Sequence, residues 1–159
     1  MPRGSDALLF GAIAALGLAP TLAGAASVRK EVVIEAPPAF VWDALKDFGA
    51  LDKRLARGFV TATRLDGGAR LVTFANGSEA RELLVDIDEE AMRLVYAIKS
   101  DRLIAHSASA QVSPKGKKRT RFVWIADFLP DELEPYLDAQ MEAGAAAIKK
   151  TLEEDAKRR

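Results

Sequence analysis

Seven segments of the chain alternate apolar with polar residues or concentrate β-branched and aromatic side chains, and both patterns predict β-strands. Asp66-Gly67-Gly68 and Asn76-Gly77 lie between neighbouring segments and are typical hairpin turns. Consecutive strands joined by tight turns pair antiparallel, so the pattern predicts an antiparallel meander. The predicted strands are residues 28–35, 58–65, 70–75, 79–88, 93–99, 106–113 and 119–128.

Helical spacing of apolar residues occurs at two other places in the chain. Two short helices are predicted at 39–48 and 50–56, after the first strand, and a long helix at 131–157 ends the chain. A seven-stranded antiparallel sheet has a face to bury, and only one long helix can cover it. The pattern therefore predicts an α+β fold, with a curved sheet around the C-terminal helix and a space between them. One face of this helix carries Leu133, Leu137, Met141, Gly144, Ile148 and Leu152.

The strands between residues 79 and 129 place polar side chains on what should be the inner face of the sheet. By alternation Glu82, Tyr96 and His106 point inward together with apolar neighbours. A solid core would exclude such groups unless each found a partner. The pattern favours a ligand cavity.

Composition excludes several classes of function. The 159 residues contain 23 Lys plus Arg and 23 Asp plus Glu, so no net positive charge draws the chain to nucleic acid. With one histidine and no cysteine, neither a disulfide nor a metal site of the usual ligands is expected. No glycine-rich phosphate loop or nucleophile elbow is present, and no cofactor is expected.

The N-terminal segment differs from the rest because residues 7–28 carry no charge. Arg3 precedes the apolar run, and Ala23-Gly24-Ala25 supplies small residues at the spacing of a cleavage site. We interpret residues 1–25 as a signal peptide and 26–159 as the mature domain, which predicts a periplasmic or secreted protein. The alternatives are an uncleaved membrane anchor over 7–28 and an ordinary buried helix.

Four stretches together resemble one superfamily. They are IEAPPAFVWDALKDF, the return strand that begins Gly68-Ala69-Arg70, NGSEARELLVDIDEEAMRLVYAI, and VWIADFLPDE followed by the long helix. In this order they are similar to the START-like, or SRPBCC, superfamily of birch-pollen-allergen-type folds, over about residues 28–155. Within it the chain looks most like bacterial polyketide cyclase/dehydrase-type proteins and the subgroup with the plant abscisic-acid receptors. The resemblance implies a helix-grip fold whose cavity binds a hydrophobic small molecule.

The resemblance also implies pocket positions, which can be carried over residue by residue. Where the plant receptors have a lysine that pairs with the hormone carboxylate, this chain has Thr61. Their gate loop is shortened here to 75–78 and their latch sequence is absent, so abscisic-acid sensing is disfavoured. The implied pocket positions are Thr61, Glu82, Tyr96, Ile98, His106 and Ala108.

His106 and Glu82 are the candidate catalytic residues. A neutral imidazole inside the cavity could orient a ligand carbonyl or act as a general base, and a nearby Glu82 would complete an acid/base pair. The alternatives are structural: a histidine bonded to a backbone carbonyl at the sheet rim, and a glutamate paired with a surface cation at the cavity mouth. Tyr96 could contact a ligand or pack in the core.

Three further residues are predicted to line the cavity. Trp124 belongs to an aromatic stripe on the last strand, a pattern more typical of core than of a binding site. Met141 and Gly144 lie on the inner face of the long helix. Small residues around Gly144 would leave volume unfilled, and the alternative there is close backbone packing.

Three functions remain open from the sequence: a carrier of a small hydrophobic ligand such as a lipid, polyketide or aromatic molecule, a cyclase or dehydratase that uses His106 or Glu82, and an interaction module with a collapsed cavity. Nucleic acid is not expected as a partner. The basic loop 115–119 and tail 157–159 could touch anionic lipid, although solvated ends are favoured. The chain could be a monomer or a homodimer.

Overall fold

The computed structural model describes residues 24–159. Residues 1–23, which hold most of the predicted signal peptide and of the alternative membrane anchor, lie outside the described residues. Within 24–159 no helix is long and apolar enough to cross a membrane. The elements are β1 (Ala26–Ile34), α1 (Pro38–Leu45), one wide π-helical turn (Leu51–Leu55), β2 (Val60–Asp66), β3 (Ala69–Phe74), β4 (Glu79–Asp88), β5 (Arg93–Ile98), β6 (Ala105–Pro114), β7 (Thr120–Leu129), a 3-10 turn (Asp131–Leu133) and α2 (Glu134–Ala156).

The seven strands form one antiparallel sheet in the order β1-β7-β6-β5-β4-β3-β2. Strands β2 to β7 follow one another as a meander, and β1 pairs with β7 from Ala26↔Phe128 to Ile34↔Thr120. The chain between β1 and β2, with α1 and the π-helical turn, connects the two edge strands. This confirms the predicted α+β helix-grip fold, in which a curved sheet holds the long C-terminal helix.

The two short helical segments after β1 take their form from local sequence. Pro38 occupies the first turn of α1, where its missing N–H removes no helical hydrogen bond. The second helix, expected over 50–56, is a single wide turn in which the Ala56 N–H donates to the Leu51 carbonyl at 2.8 Å. Leu51 and Leu55 are buried, so this turn closes one side of the space beneath α2.

Helix α2 begins at Glu134, after a 3-10 turn, and not at residue 131. Its buried face includes Met141, Gly144, Ile148 and Leu152, as the helical spacing predicted. Each fully buried Leu, Ile or Met side chain stabilises the fold by roughly 1.5–3 kcal/mol, which fixes the rotation of the helix on the sheet. Leu137 is only partly buried because it borders the cavity.

The C-terminal half of α2 is tied to the end of β1. Lys149 Nζ donates to the Val33 carbonyl at 2.5 Å, and the Glu35 N–H donates to the Glu153 carboxylate at 2.9 Å. Close to this junction Ile34 and Leu152 are fully buried. The solid core therefore lies at this end of the helix, and the N-terminal half of α2 borders open volume.

Candidate functional site

A cavity of about 560 Å³ lies between the concave face of the sheet and α2. Most of its wall is apolar, with Leu94, Phe122 and Ile148 as typical members. The starts of β4 and α2 and the segment 99–103 line its outer part. Among its polar side chains, four that are buried or half-buried come from four neighbouring strands: Arg70 on β3, Glu82 on β4, Tyr96 on β5 and His106 on β6.

Arg70 and Glu82 form a buried ion pair inside the wall. They are direct cross-strand partners, and each side chain is only 6% exposed. Arg70 Nε donates to Glu82 Oε2 at 2.7 Å, and Nη2 lies 2.6 Å from the same oxygen. Arg70 Nη1 donates to the Phe48 carbonyl at 3.1 Å, and the guanidinium carbon lies 4.1 Å from the centroid of the Phe48 ring. The Arg70 guanidinium is therefore held by a carboxylate, a backbone carbonyl and an aromatic ring.

This geometry determines what Glu82 can do. Both Arg70 contacts go to Oε2, and no hydrogen bond from residues 24–159 reaches Oε1. A buried carboxylate requires a counter-ion and hydrogen bonds to remain in place, and Arg70 provides both. Oε1 is left as an acceptor that a cavity occupant can use.

Tyr96 and Trp124 are joined by a hydrogen bond at the wall. The Trp124 indole Nε1–H donates to the Tyr96 hydroxyl oxygen at 3.1 Å. Indole can only donate, so the hydroxyl accepts here and keeps its own proton, for which residues 24–159 provide no acceptor. Burial, and then the negative charge of Glu82, raise the pKa of the Tyr96 hydroxyl far above its usual value. Tyr96 is thus a protonated donor.

His106 is held in one tautomer by the backbone of β5. The Ile98 N–H donates to His106 Nδ1 at 3.1 Å, so in the neutral ring the proton is on Nε2. Burial lowers the pKa of His106, although the charge of Asp127 opposes this in part. The imidazole is therefore neutral at physiological pH and can donate from Nε2. The structural alternative predicted a hydrogen bond between His106 and a backbone carbonyl. That partner was wrong, because the ring accepts from the backbone N–H of Ile98.

The expected pair of Glu82 and His106 does not form. No hydrogen bond joins them among the described residues, and Glu82 is engaged by Arg70. The strand register explains this, because Glu82 pairs with Ile98 on β5, and His106 lies one strand further, against Ile98. The structural alternative predicted that Glu82 pairs with a surface cation at the cavity mouth. Glu82 does pair with a cation, but that cation is Arg70, which is buried in the wall.

The structure places most of the predicted binding residues in the cavity wall, namely Glu82, Tyr96, Ile98, His106, Trp124, Met141 and Gly144. It does not bring Thr61 or Ala108 there. Thr61 lies at a β-bulge between Val60 and Ala62, is exposed, and donates its hydroxyl to the Thr73 carbonyl. Ala108 is buried in the apolar core cluster.

Gly144 lines the cavity for a different reason from the one expected. A Cβ placed on it would lie 2.9 Å from Cζ3 of Trp124 and 3.1 Å from Cε1 of Phe59. The absent side chain therefore makes room for two aromatic rings and leaves no empty volume of its own. The alternative predicted close packing against backbone, whereas the contacts are with aromatic side chains.

The sequence did not lead us to Arg70, the buried cation of the wall. A two-residue turn at Asn76-Gly77 would place Arg70 opposite Leu83. In the structure the loop has three residues between Phe74 and Ser78, which moves the register by one and places Arg70 opposite Glu82. The usable signal was the inward alternation of Arg70 with Val72, which is fully buried.

The sequence model of the family described as polyketide cyclase / dehydrase and lipid transport matches residues 25–154. The chain belongs to this family. The comparison with curated proteins finds no match. The description of this family, which includes both enzymes and lipid transport, agrees with a cavity for small hydrophobic molecules.

Solved structures with similar folds include members of several kinds. An uncharacterised protein from Bacillus thuringiensis matches with a TM-score of 0.72 and 17% identity, over 80% of this chain and 98% of that one. Norcoclaurine synthase from Thalictrum flavum, in complex with dopamine and hydroxybenzaldehyde, matches with a TM-score of 0.65 and 19% identity, over 92% and 95%. The di-domain ARO/CYC protein BexL matches with a TM-score of 0.69 and 12% identity, over 80% of this chain and 46% of BexL. At these identities the likeness shows the fold.

The described part of the chain has no group of three or more His, Cys, Asp or Glu side chains that could hold a metal ion. The buried part of the wall offers hydrogen bonding, one compensated ion pair and apolar contact.

Proposed function

We propose that this protein binds and carries a small, predominantly apolar molecule in the cavity between the sheet and α2. The observation that carries the proposal is the 560 Å³ cavity itself, apolar over most of its wall, with a few polar groups fixed by the protein. Volumes of about 300–1,000 Å³ and this kind of lining are typical of small-molecule sites. The family description, which includes lipid transport, supports the same function.

The expected affinity follows from the apolar area that such a ligand would bury. A molecule that buries ~250 Å² of apolar surface gains roughly 6 kcal/mol, which corresponds to a dissociation constant of tens of micromolar. Hydrogen bonds to the wall add to this, and lost freedom of motion subtracts from it. Binding in the micromolar range is the expectation.

Uptake of the neutral fluorophore Nile red tests the proposal. Ala110 is buried, lines the cavity and lies opposite Trp124 on the neighbouring strand, so Ala110→Phe should fill volume and reduce Nile red fluorescence several-fold. Ala62→Phe is the matched control, because Ala62 is exposed on β2 and outside the wall. Equal fluorescence of the two variants, or no uptake by the unmodified protein, would refute binding in this cavity.

A second candidate is a cyclase or dehydratase, and one observation favours it. Tyr96 and the Nε2–H of His106 are two donors on neighbouring strands of the wall. Donors of this kind can stabilise negative charge that develops on a carbonyl oxygen. Glu82 already accepts from Arg70, and His106 Nδ1 already accepts from the Ile98 N–H, so neither residue is favoured as a general base. In this candidate a ligand carbonyl is polarised by hydrogen-bond donation.

Turnover of a short poly-β-keto thioester surrogate distinguishes the two candidates. An enzyme should form cyclised product faster than buffer, and Tyr96→Phe should slow this by about tenfold or more, since removal of one such donor costs about 10²–10³ in the best cases. Product formation at the buffer rate, with Nile red still bound, would reject the enzyme and leave the carrier.

We also propose that the protein is exported after cleavage near Ala26. The support is the uncharged run 7–28 with its small residues, together with the start of β1 at Ala26. N-terminal sequencing of the protein from its own host should find a start near Ala26. A start at Met1 would reject cleavage.

A further inference from the structure

We propose that the cavity selects a neutral ligand that carries a hydroxyl group, an alcohol or a phenol, and disfavours a carboxylate on the same skeleton. This proposal rests on the proposed binding function and names the ligand class of that site. It depends on the arrangement of Arg70, Glu82 and Tyr96.

The charge of the wall disfavours an anionic ligand. Arg70 is the buried cation of the cavity, and Glu82 neutralises it through contacts of 2.7 and 2.6 Å. The other charged side chains of the cavity lining, such as Lys99 and Arg102, are exposed, and solvent screens them. A ligand carboxylate beside this pair would lose its hydration without gaining a free counter-ion, and it would face the charge of Glu82.

The hydrogen-bond donors and acceptors of the wall complement a hydroxyl group. Glu82 Oε1 can only accept, and the Tyr96 hydroxyl has a proton to donate after it accepts from Trp124. The Arg70 guanidinium contacts Glu82 and lies 5.7 Å from the Tyr96 ring centroid, and all three side chains line the cavity. A ligand hydroxyl both donates and accepts, and so it can serve Glu82 and Tyr96 together. A ketone can accept only, and a carboxylate has no proton for Glu82.

Position 61 provides no anchor for a carboxylate either. The resemblance to the plant receptors implied a carboxylate anchor at the position where they have a lysine; here it is Thr61, which is exposed at a bulge outside the wall. The buried cation of the wall, Arg70, is already bound by Glu82 and by the Phe48 carbonyl. Neither position offers a ligand carboxylate an unoccupied positive charge.

Three probes of one skeleton test the selection by competition with Nile red at about pH 7: 2-naphthol, 2-naphthoate and 2-methylnaphthalene. We expect 2-naphthol to bind about tenfold more tightly than each of the other two, the ratio that one hydrogen bond to a charged group can supply. Equal affinities for all three, or tighter binding of 2-naphthoate, would overturn the proposal while binding in the cavity stands. Failure of all three and of Nile red would overturn the proposed function itself.

Glu82→Gln provides a sharper second test, because glutamine keeps the shape and can still accept from Arg70. The variant removes the negative charge and leaves Arg70 as an uncompensated cation in the wall. The preference should therefore reverse, with 2-naphthoate binding more tightly than 2-naphthol. Glu90→Gln, at an exposed residue outside the cavity lining, is the matched control and should keep the original order. An unchanged order in Glu82→Gln would contradict the role of Glu82, and if this variant does not fold the three-probe comparison on the unmodified protein decides alone.

Discussion

Removing one partner of the Arg70–Glu82 pair should destabilise the protein far more than removing both. Each side chain is 6% exposed, so a single substitution leaves a charge buried without a counter-ion. At about 4 Å between charge centres and an effective dielectric constant of about 20, the lost attraction is about 4 kcal/mol. Breaking a buried pair in this way costs roughly 3–5 kcal/mol in general.

The perturbations are Arg70→Met, Glu82→Leu and the double variant. Each single variant should lower the free energy of unfolding by about 3–5 kcal/mol, while the double variant should remain within about 2 kcal/mol of the unmodified protein because apolar replacements pack in the same space. The coupling energy of the cycle should therefore be several kcal/mol. Stabilities of folded domains are about 5–15 kcal/mol, so a loss of this size is measurable.

Urea unfolding followed by far-ultraviolet circular dichroism and by tryptophan fluorescence supplies the free energies, with coincident curves as the test of two-state behaviour. The exposed pair Arg121–Glu31 between β1 and β7 provides a matched cycle with the same substitution types. Its coupling should be much smaller, since solvent screens it. Additive losses in the Arg70–Glu82 cycle, or equal coupling in the two cycles, would refute the account of a buried pair.

Three further predictions follow from single groups of the wall. Burial lowers the pKa of His106 in the folded protein, so below about pH 6.5 the unfolded chain binds more protons than the folded one. The contribution of His106 to stability is therefore fully present above about pH 6.5 and is lost as the pH drops through the folded pKa. His106→Asn, whose oxygen can accept from Ile98, should flatten the unfolding free energy between about pH 7.5 and 5.5, and an unchanged slope would contradict this assignment. Tyr96→Phe leaves the Trp124 indole without its acceptor and should cost about 1–3 kcal/mol by urea unfolding, whereas no loss would show that the bond is unimportant. Gly144→Ala places a Cβ 2.9 Å from Trp124, so it should lower stability despite better helix propensity and should change the near-ultraviolet dichroism of the indole; a gain of about 1 kcal/mol would contradict the close contact.

Periodicity alone could predict the fold because each strand and helix shows its own pattern. Alternation along β4, β5 and β6 also predicted that Glu82, Tyr96 and His106 point inward, and all three line the cavity. Side chains of one strand alternate between its two faces wherever no bulge interrupts the strand, so the sequence alone predicts which face a residue occupies.

The partners of these residues could not be predicted, because pairing depends on register and on packing between distant elements. One extra residue in the loop after Phe74 decides that Arg70 meets Glu82. A bulge takes Thr61 out of the wall, and the contact of Trp124 with Gly144 joins two elements that the sequence separates by a turn. Such features leave little trace in local composition.

A small molecule should occupy the space between the sheet and α2. Isotope-edited nuclear Overhauser spectra of the protein with 2-naphthol test it most directly, because they report which methyl groups lie against the ligand. The account predicts contacts from the naphthol ring to the methyl groups of Ile98, Ala110 and Met141, which all line the cavity. Contacts confined to exposed Leu65 and Val85, which are 58% and 60% exposed, would contradict it.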